Sequence, residues 1–216
     1  MRRMSGGSGK REIEIKLKLE SAEQGRRLLR RAGFHVIRRR VHESNVVLDN
    51  AAGSLRQQGV VLRLRKAGSR TSLTLKGPAA GGKYKSRQEL ETDLLDFAVG
   101  EAILEKLGFR SVFRYEKYRT QYQGSNPRGV AMLDETPVGV FLELEGEPGW
   151  IDRTARLLGF SEEHYITATY ADLNNAFRSP RNRPSDDMAF ALYLPTSGSR
   201  SGRKRAGPGT PSRRRK

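Results

Sequence analysis

From Arg11 onward the sequence repeatedly alternates apolar and charged residues with a period of two, and that pattern dictates β-strands with one dry and one wet face. Ile13, Ile15, Leu17 and Leu19 oppose Glu12, Glu14, Lys16, Lys18 and Glu20; Val60, Leu62 and Leu64 oppose Arg63 and Arg65. Leu73 and Leu75 oppose Ser72, Thr74 and Lys76, and Lys85, Arg87, Glu89, Glu91 and Asp93 share one face. Lys117 and Arg119 align with Phe113 and Tyr115, Asp134 with Met132 and Val130, and Glu143 and Glu145 with Phe141. A single strand of this kind is an ordinary surface strand. Seven of them are harder to explain that way, because the charges are sorted by sign. Glu12 with Glu14, Glu89 with Glu91 and Glu143 with Glu145 form acidic pairs, while Arg63 with Arg65 and Lys117 with Arg119 form basic ones. A solvated sheet has no need of such sorting, whereas a closed barrel does, since same-face residues then converge on one lumen.

Helical segments separate the strands. Ser21 caps a stretch to Ala32, with Gln24 three residues on and Gly33 as the stop; Phe97–Leu107 ends at Gly108 and Ile151–Leu158 at Gly159. Ala102, Ile103 and Leu107 are the expected packing face of the second helix, against the outside of the sheet. Trp150, after a Pro-Gly turn, reads as a core anchor. The chain of 216 residues is long enough for one domain, expected at 11–190 between a flexible Gly/Ser leader (1–10) and a basic tail (191–216) too rich in Gly, Ser, Pro and Arg to fold. There is no cysteine, which excludes disulfides, thiolate metal sites and cysteine nucleophiles. With no signal-like N-terminus and no bilayer-length apolar run, the expectation is a cytoplasmic protein without a membrane partner. The formal charge is +17, eight of it from Arg200 onward, so the remainder is itself basic and the expected partners are anions.

The converging faces define the chemistry. Glu12, Glu14, Glu89, Glu91, Asp134, Glu143 and Glu145 would meet Lys16, Lys18, Arg63, Arg65, Lys76, Arg87, Lys117 and Arg119 in one lumen. That mixture suits a polyanion carried with a divalent cation: guanidinium and ammonium groups neutralise phosphate oxygens, and hard carboxylate oxygens hold the metal. His35, His42 and His164 lack ligand spacing, and Ser5–Lys10 lacks the spacing of a phosphate-binding loop.

The N-terminal E-x-E-x-K of Glu12, Glu14 and Lys16 resembles the signature of the CYTH family, the triphosphate tunnel metalloenzymes. LRLR (Leu62–Arg65), LKGP (Leu75–Pro78), SRQELE (Ser86–Glu91), YEKYR (Tyr115–Arg119), LDETPVGVFLELEG (Leu133–Gly146) and ATYADL (Ala168–Leu173) follow in the family's order. The resemblance implies an α+β protein: an eight-stranded antiparallel tunnel, open at both ends, with helices packed outside. It further implies Mg²⁺ or Mn²⁺ held by Glu12, Glu14, Asp134, Glu143 and Glu145, and a triphosphate bound by Lys16, Lys18, Arg63, Arg65, Lys76, Arg87, Lys117 and Arg119. Glu14 and Lys16 are the implied catalytic residues; Glu91 reads better as a salt-bridge partner that spaces arginines. The sequence departs from the family before LRLR, where VVLDNAAGSLRQQG keeps Asp49 but not the usual aromatic and proline, and after Thr169-Tyr170, where Pro180 interrupts a helix.

Three functions follow as expectations. The leading one is metal-dependent hydrolysis of inorganic triphosphate or an organic one such as thiamine triphosphate. The alternative is conversion of ATP to cAMP and pyrophosphate, as in the class IV adenylate cyclase (CyaB-like) branch that the motif layout most resembles. The third is a non-enzymatic binder of polyphosphate or nucleotide, which would have no need of five acids. The tail is compatible with non-specific nucleic-acid contact, and exposed outer helices with a homodimer.

Overall fold

The computed structural model describes residues 10–125, 127–177 and 187–193. In chain order these form β1 (Lys10–Leu19), α1 (Ala22–Arg31), β2 (His35–Asn50), α2 (Ser54–Gln57), β3 (Val61–Ala67), β4 (Arg70–Lys76) and β5 (Lys85–Leu94). There follow α3 (Phe97–Lys106), β6 (Phe109–Gln123), β7 (Gly129–Thr136), β8 (Gly139–Gly146), α4 (Pro148–Leu157), α5 (Tyr170–Phe177) and α6 (Phe190–Tyr193), the last running past the expected boundary at residue 190. The strands close into one antiparallel barrel in the order β1-β5-β4-β3-β2-β6-β7-β8. Closure depends on β1, which pairs its first half with β5 (Glu12 opposite Arg87, Glu14 opposite Lys85) and its second half with β8 (Lys16 opposite Glu143). Among the described residues no helix is long and apolar enough to cross a membrane.

The apolar faces of the strands point outward and are covered by helices. Ile15, Leu17, Leu133, Leu142 and Leu144 lie under Leu29 of α1 and Trp150, Ile151 and Ala155 of α4. Val46, Leu48, Leu62 and Leu64 lie under Leu104 and Phe97 of α3. Close approach explains the glycines at these contacts. A Cβ at Gly25 would stand 2.7 Å from Leu133 and 2.8 Å from Leu19, so α1 can rest on the barrel only through a residue without one. Gly129 and Gly146 likewise make room for the Trp150 indole.

Four expectations are revised or left aside. The eighth strand is β2, a 16-residue element that the alternation did not flag; its Asp49 accepts backbone N–H bonds from Leu55 and Arg56 and fixes the turn into α2. On α3 the contact face is Phe97 and Leu104; Ile103 and Leu107 are more than half exposed and Ala102 is exposed too. The tunnel is not a passage open at both ends. Val47, Phe113, Tyr115 and Phe141 make one level of the lumen apolar, and Tyr170 and Met188 fill it. Backbone pairing brings both in: Lys16 exchanges hydrogen bonds of 2.8 and 2.9 Å with Ile166, and Met188 bonds to Arg114 and Glu116 at 2.8 Å. Pro180, nearly all of the leader and the tail beyond Tyr193 lie outside the described residues.

Trp150→Ala should lower stability by about 3–5 kcal/mol, because the indole is buried between a helix and two glycine-lined strands that cannot collapse onto the gap. Leu95→Ala, at a fully exposed position, should stay within about 0.5 kcal/mol, and chemical denaturation of both variants checks the contrast.

Candidate functional site

Inward-facing residues of all eight strands meet at the level next to the apolar plug, and the centre of the arrangement is Asp134. It is completely buried and accepts from Lys117 Nζ (2.7 Å), Arg119 Nε (2.7 Å) and Nη2 (2.6 Å), and the Tyr170 hydroxyl (2.7 Å). Register explains the convergence: Arg119 lies directly opposite Asp134 in the β6–β7 ladder, and Lys117 sits two residues along the same face. Arg119 also grips Glu143, which stands opposite Lys16 on β1. Lys16 Nζ then lies 3.4 Å from Glu14 and 3.5 Å from Glu143. The Tyr170 ring closes the floor, with the ammonium groups of Lys117 and Lys16 at 4.8 and 5.3 Å from its centroid.

Further bases extend around the wall. Arg63 donates to Thr74 (3.2 Å) and the Tyr115 hydroxyl (3.5 Å), with Glu89 and Glu91 each 3.9 Å away. Arg65 donates to Asn45 at 2.8 Å and lies 3.5 Å from Glu43. Lys76 bonds Glu12 and approaches Glu89, Lys85 donates to Glu14 at 3.0 Å, and Lys10 to Glu145 at 3.0 Å. Arg87 is half-buried, and its Nε has no hydrogen-bond partner among the described residues. Apart from Arg87, for which no ion pair is seen among the described residues, the expected acids and bases are thus brought together in one network, with two exceptions of degree. Lys18 stands exposed opposite Phe141, beside the plug rather than the charged level, and Glu145 holds the rim. Glu91 bridges Arg63 and Arg70, a spacing role.

The structure adds residues that sequence reasoning did not single out. Glu43 is 2 % exposed, faces Arg65 and Lys117 at 3.5 and 3.8 Å, and leaves Oε2 without a hydrogen bond. Asn45 orients Arg65, and Lys85 holds Glu14. The signal for Glu43 was present in the alternation of Glu43, Asn45, Val47 and Asp49, but Arg38–Arg40 and two register shifts precede it.

Electrostatics follow from burial against proximity. Burial opposes ionisation of Glu14, yet Lys16, Lys85 and Lys76 outweigh it and hold the pKa at about 2. Burial likewise opposes ionisation of Glu43, and Arg65, Arg119, Lys117 and Arg63 bring it to about 2. Burial disfavours charged Lys16, but Glu14, Glu143 and Asp134 push its pKa above the usual lysine range. Lys85 shifts the other way, since burial and the nearby Lys16 and Arg87 outweigh Glu14. Tyr115, buried but surrounded by Arg63, Arg65 and Lys117, is brought down to about 8.

The donor set bears on a divalent cation. Glu14 and Glu143 flank Lys16, so two hard carboxylates already face one point in the lumen, a donor chemistry that suits a hard divalent cation. Among the described residues no three acids form a ready-made cage, because each is drawn onto a base. Asp134 is the extreme case, with both oxygens taken.

Known proteins share this fold. Residues 10–170 match the model of the CYTH domain. A Methanocaldococcus jannaschii protein named "Putative adenylate cyclase" is 27 % identical over 172 residues, covering 75 % of this chain and 97 % of that protein. A Vibrio parahaemolyticus structure described as a "putative adenylate cyclase" superposes with a TM-score of 0.68 at 19 % identity, covering 77 % of this chain and 99 % of its own. A Pyrococcus horikoshii protein gives 0.67 at 23 %, with 77 % and 99 % covered. A "putative adenylyl cyclase" from Hippeastrum, described as revealing a dominant triphosphatase activity, gives 0.59 at 22 %, with 78 % and 98 % covered. At these identities the superpositions establish the fold.

Two measurements check the electrostatics. Asp134→Ala leaves two buried cations without their acid and should cost about 3–5 kcal/mol, whereas Glu145→Gln at the rim should cost about 1 kcal/mol or less. The depressed pKa values of Glu14 and Glu43 give stability that is complete above their ordinary value of 4.5 and lost as pH falls through about 2. Acid denaturation should therefore steepen below pH 4.5, and Glu43→Gln should flatten it.

Proposed function

The chain belongs to the CYTH family, and from that premise we propose that it is a metal-dependent triphosphatase that cleaves a phosphoanhydride bond in the charged lumen. The observation that carries the reading is the buried cluster of Lys16, Lys117 and Arg119, three cations around Asp134 and Glu143 in a site almost without solvent. A chain of phosphoryl groups offers anionic oxygens at repeated spacing, and Arg63, Arg65, Lys76 and Arg87 extend the cationic wall toward the β1–β5 side. Lys16 stays protonated and Glu14 stays ionised at neutral pH, so both act as fixed charges rather than as proton carriers. Arginine cannot give up its proton, which makes Arg63, Arg65 and Arg119 electrostatic clamps on developing negative charge.

Glu12, Glu14, Glu143 and Glu145 would hold the Mg²⁺ or Mn²⁺ that the family's chemistry requires. When bound, the cation neutralises phosphate charge and polarises a phosphoryl oxygen. Asp134, also expected among the metal-holding acids, orients Lys117, Arg119 and Tyr170, which donate to its oxygens. The inorganic or compact organic triphosphates are favoured as substrates because Tyr170 and Met188 occupy the apolar end of the lumen, where a nucleoside would otherwise have a seat.

Cyclisation of ATP is the second reading, favoured by the names borne by the Methanocaldococcus and Vibrio proteins. It requires the adenosine 3′-hydroxyl in line with the α-phosphorus, hence a base seat at the open mouth. Incubation with tripolyphosphate, thiamine triphosphate or ATP and either metal should yield orthophosphate from the first two and little cAMP from the third. Arg119→Ala should lower kcat/KM by about 10²–10³, since a charge-assisted clamp is lost from a water-poor site. Full turnover in excess chelator would overturn metal dependence, and tight binding without turnover would leave a polyphosphate carrier.

A further inference from the structure

The charge excess of this chain is not in its tunnel. Between Gln24 and His42 there are seven arginines, no lysine and no acid; from Arg200 to the end there are eight basic residues and no acid. With Arg2 and Arg3 these account for the entire +17, and everything else, the lumen included, sums to zero. The lumen is balanced because its bases are paired with acids. The outer stretch is not.

Folding gathers that stretch into one surface. On α1 the apolar side is Gly25 and Leu29, which leaves Arg26, Arg27, Arg30 and Arg31 exposed as a double row facing solvent. The first half of β2, joined to the helix through a shared carboxylate, carries Arg38, Arg39 and Arg40, all exposed. One carboxylate joins helix and strand: Glu135 of β7 takes Arg26 at 3.5 Å and Arg40 at 2.9 Å. Arg40 also lies flat over the Tyr118 ring, 3.5 Å from its centroid. Among the described residues the other five, Arg27, Arg30, Arg31, Arg38 and Arg39, pair with no carboxylate.

Local needs explain only part of this. Arg30 and Arg31 suit the last turn of α1, where the helix end is partly negative. Charge also protects the edge of β2, which pairs with β3 only from Glu43 onward and so has one free side over His35–His42. One or two charges would meet each need. Seven exposed arginines, five of them without a carboxylate partner among the described residues, exceed both, and arginine is the side chain that grips phosphate bidentately.

We infer that α1 and the first half of β2 form a docking surface for the phosphate backbone of a nucleic-acid duplex. A duplex carries about one negative charge per 1.7 Å of axis, dense enough to match this field. Base stacking is not the mode, since the only aromatic ring of the stretch besides two histidines, Phe34, is turned into the core against Trp150. Lipid insertion fits less well, as Val36 and Ile37 each keep about half of their surface covered, at 48 % exposure. The surface is separate from the lumen, so catalysis does not depend on it.

The test uses the full chain and a short fluorescent DNA duplex, with anionic phosphatidylserine vesicles and a single strand as parallel arms. To remove the tail's contribution, its basic residues after position 199 are changed to Gln in every sample. Changing Arg27, Arg30, Arg31, Arg38 and Arg39 to Gln should then weaken duplex binding at least tenfold. The slope of log Kd against log salt should fall by roughly 0.9 for each phosphate that the variant no longer neutralises. Tripolyphosphate turnover should be unchanged and serves as the check on folding. Equal affinity and slope for parent and variant would overturn the inference, as would binding to vesicles or to the single strand alone.

Discussion

Asp134 is where the folding problem of this barrel is solved. A lumen able to hold a polyanion must keep several cations out of water, and a buried cation without a partner is among the most costly things a protein can contain. The β6–β7 register sets Asp134 against Arg119, the pleat sets Lys117 on the same face, and Tyr170 adds a fourth bond from the C-terminal segment. One carboxylate thus makes two cations tolerable and ties the plug to the wall. Glu143 repeats the arrangement one strand over, between Arg119 and Lys16. The barrel and the site are therefore not separable: the same ion pairs that permit the fold hold the binding groups in position.

That pairing also shapes how a ligand would be received. Most lumen bases already face an acid, so an incoming triphosphate would not meet an empty positive pocket. It would exchange partners, releasing carboxylates from bases as its own oxygens take their place. Glu14 and Glu143, once released from Lys16, would be the groups to hold a divalent cation, which would screen the phosphate charge. Preorganisation lies in the backbone positions of the charged groups, which the closed ladder fixes, rather than in a vacant cage. Tyr115 sits at the boundary between the charged level and the plug, and its lowered pKa of about 8 shows the cations outweighing burial there.

Much of this was legible in the sequence, for a reason that has limits. Alternation exposes any strand whose two faces differ, so β1, β3 and β8 declared both their span and their inward residues. A different signal, its place after a Pro-Gly turn, marked Trp150 as an anchor. β2 escaped because three consecutive arginines and register shifts between Val36 and Val41 break the period, and Val46, Val47 and Leu48 are apolar on both faces. Glu43 was lost with it. The plug was invisible for a different reason: Tyr170 and Met188 reach the lumen through isolated backbone contacts with β1 and β6, and no local pattern encodes such pairing. The face of α3 was misjudged because Ala102, Ile103 and Leu107 make as plausible a stripe as Phe97 and Leu104; only the shape of the barrel decides between them.

The same ion chemistry has opposite consequences inside and outside this molecule. In the lumen, a charge must be matched at folding, so the acids and bases cancel and net charge reveals nothing about the site. On the surface, water screens each arginine within about 10 Å at ordinary salt, so unmatched charges can accumulate at little cost in stability. Matched lumen charges therefore leave no trace in the overall charge, and the formal +17 is carried by Arg2, Arg3, the arginines of α1 and β2, and the stretch from Arg200 onward. The direct reading of a basic composition, that the active site is what is basic, fails here for a physical reason. Partner chemistry in a closed barrel is written in the sorting of charges along strands, and the net total belongs to whatever touches the outside.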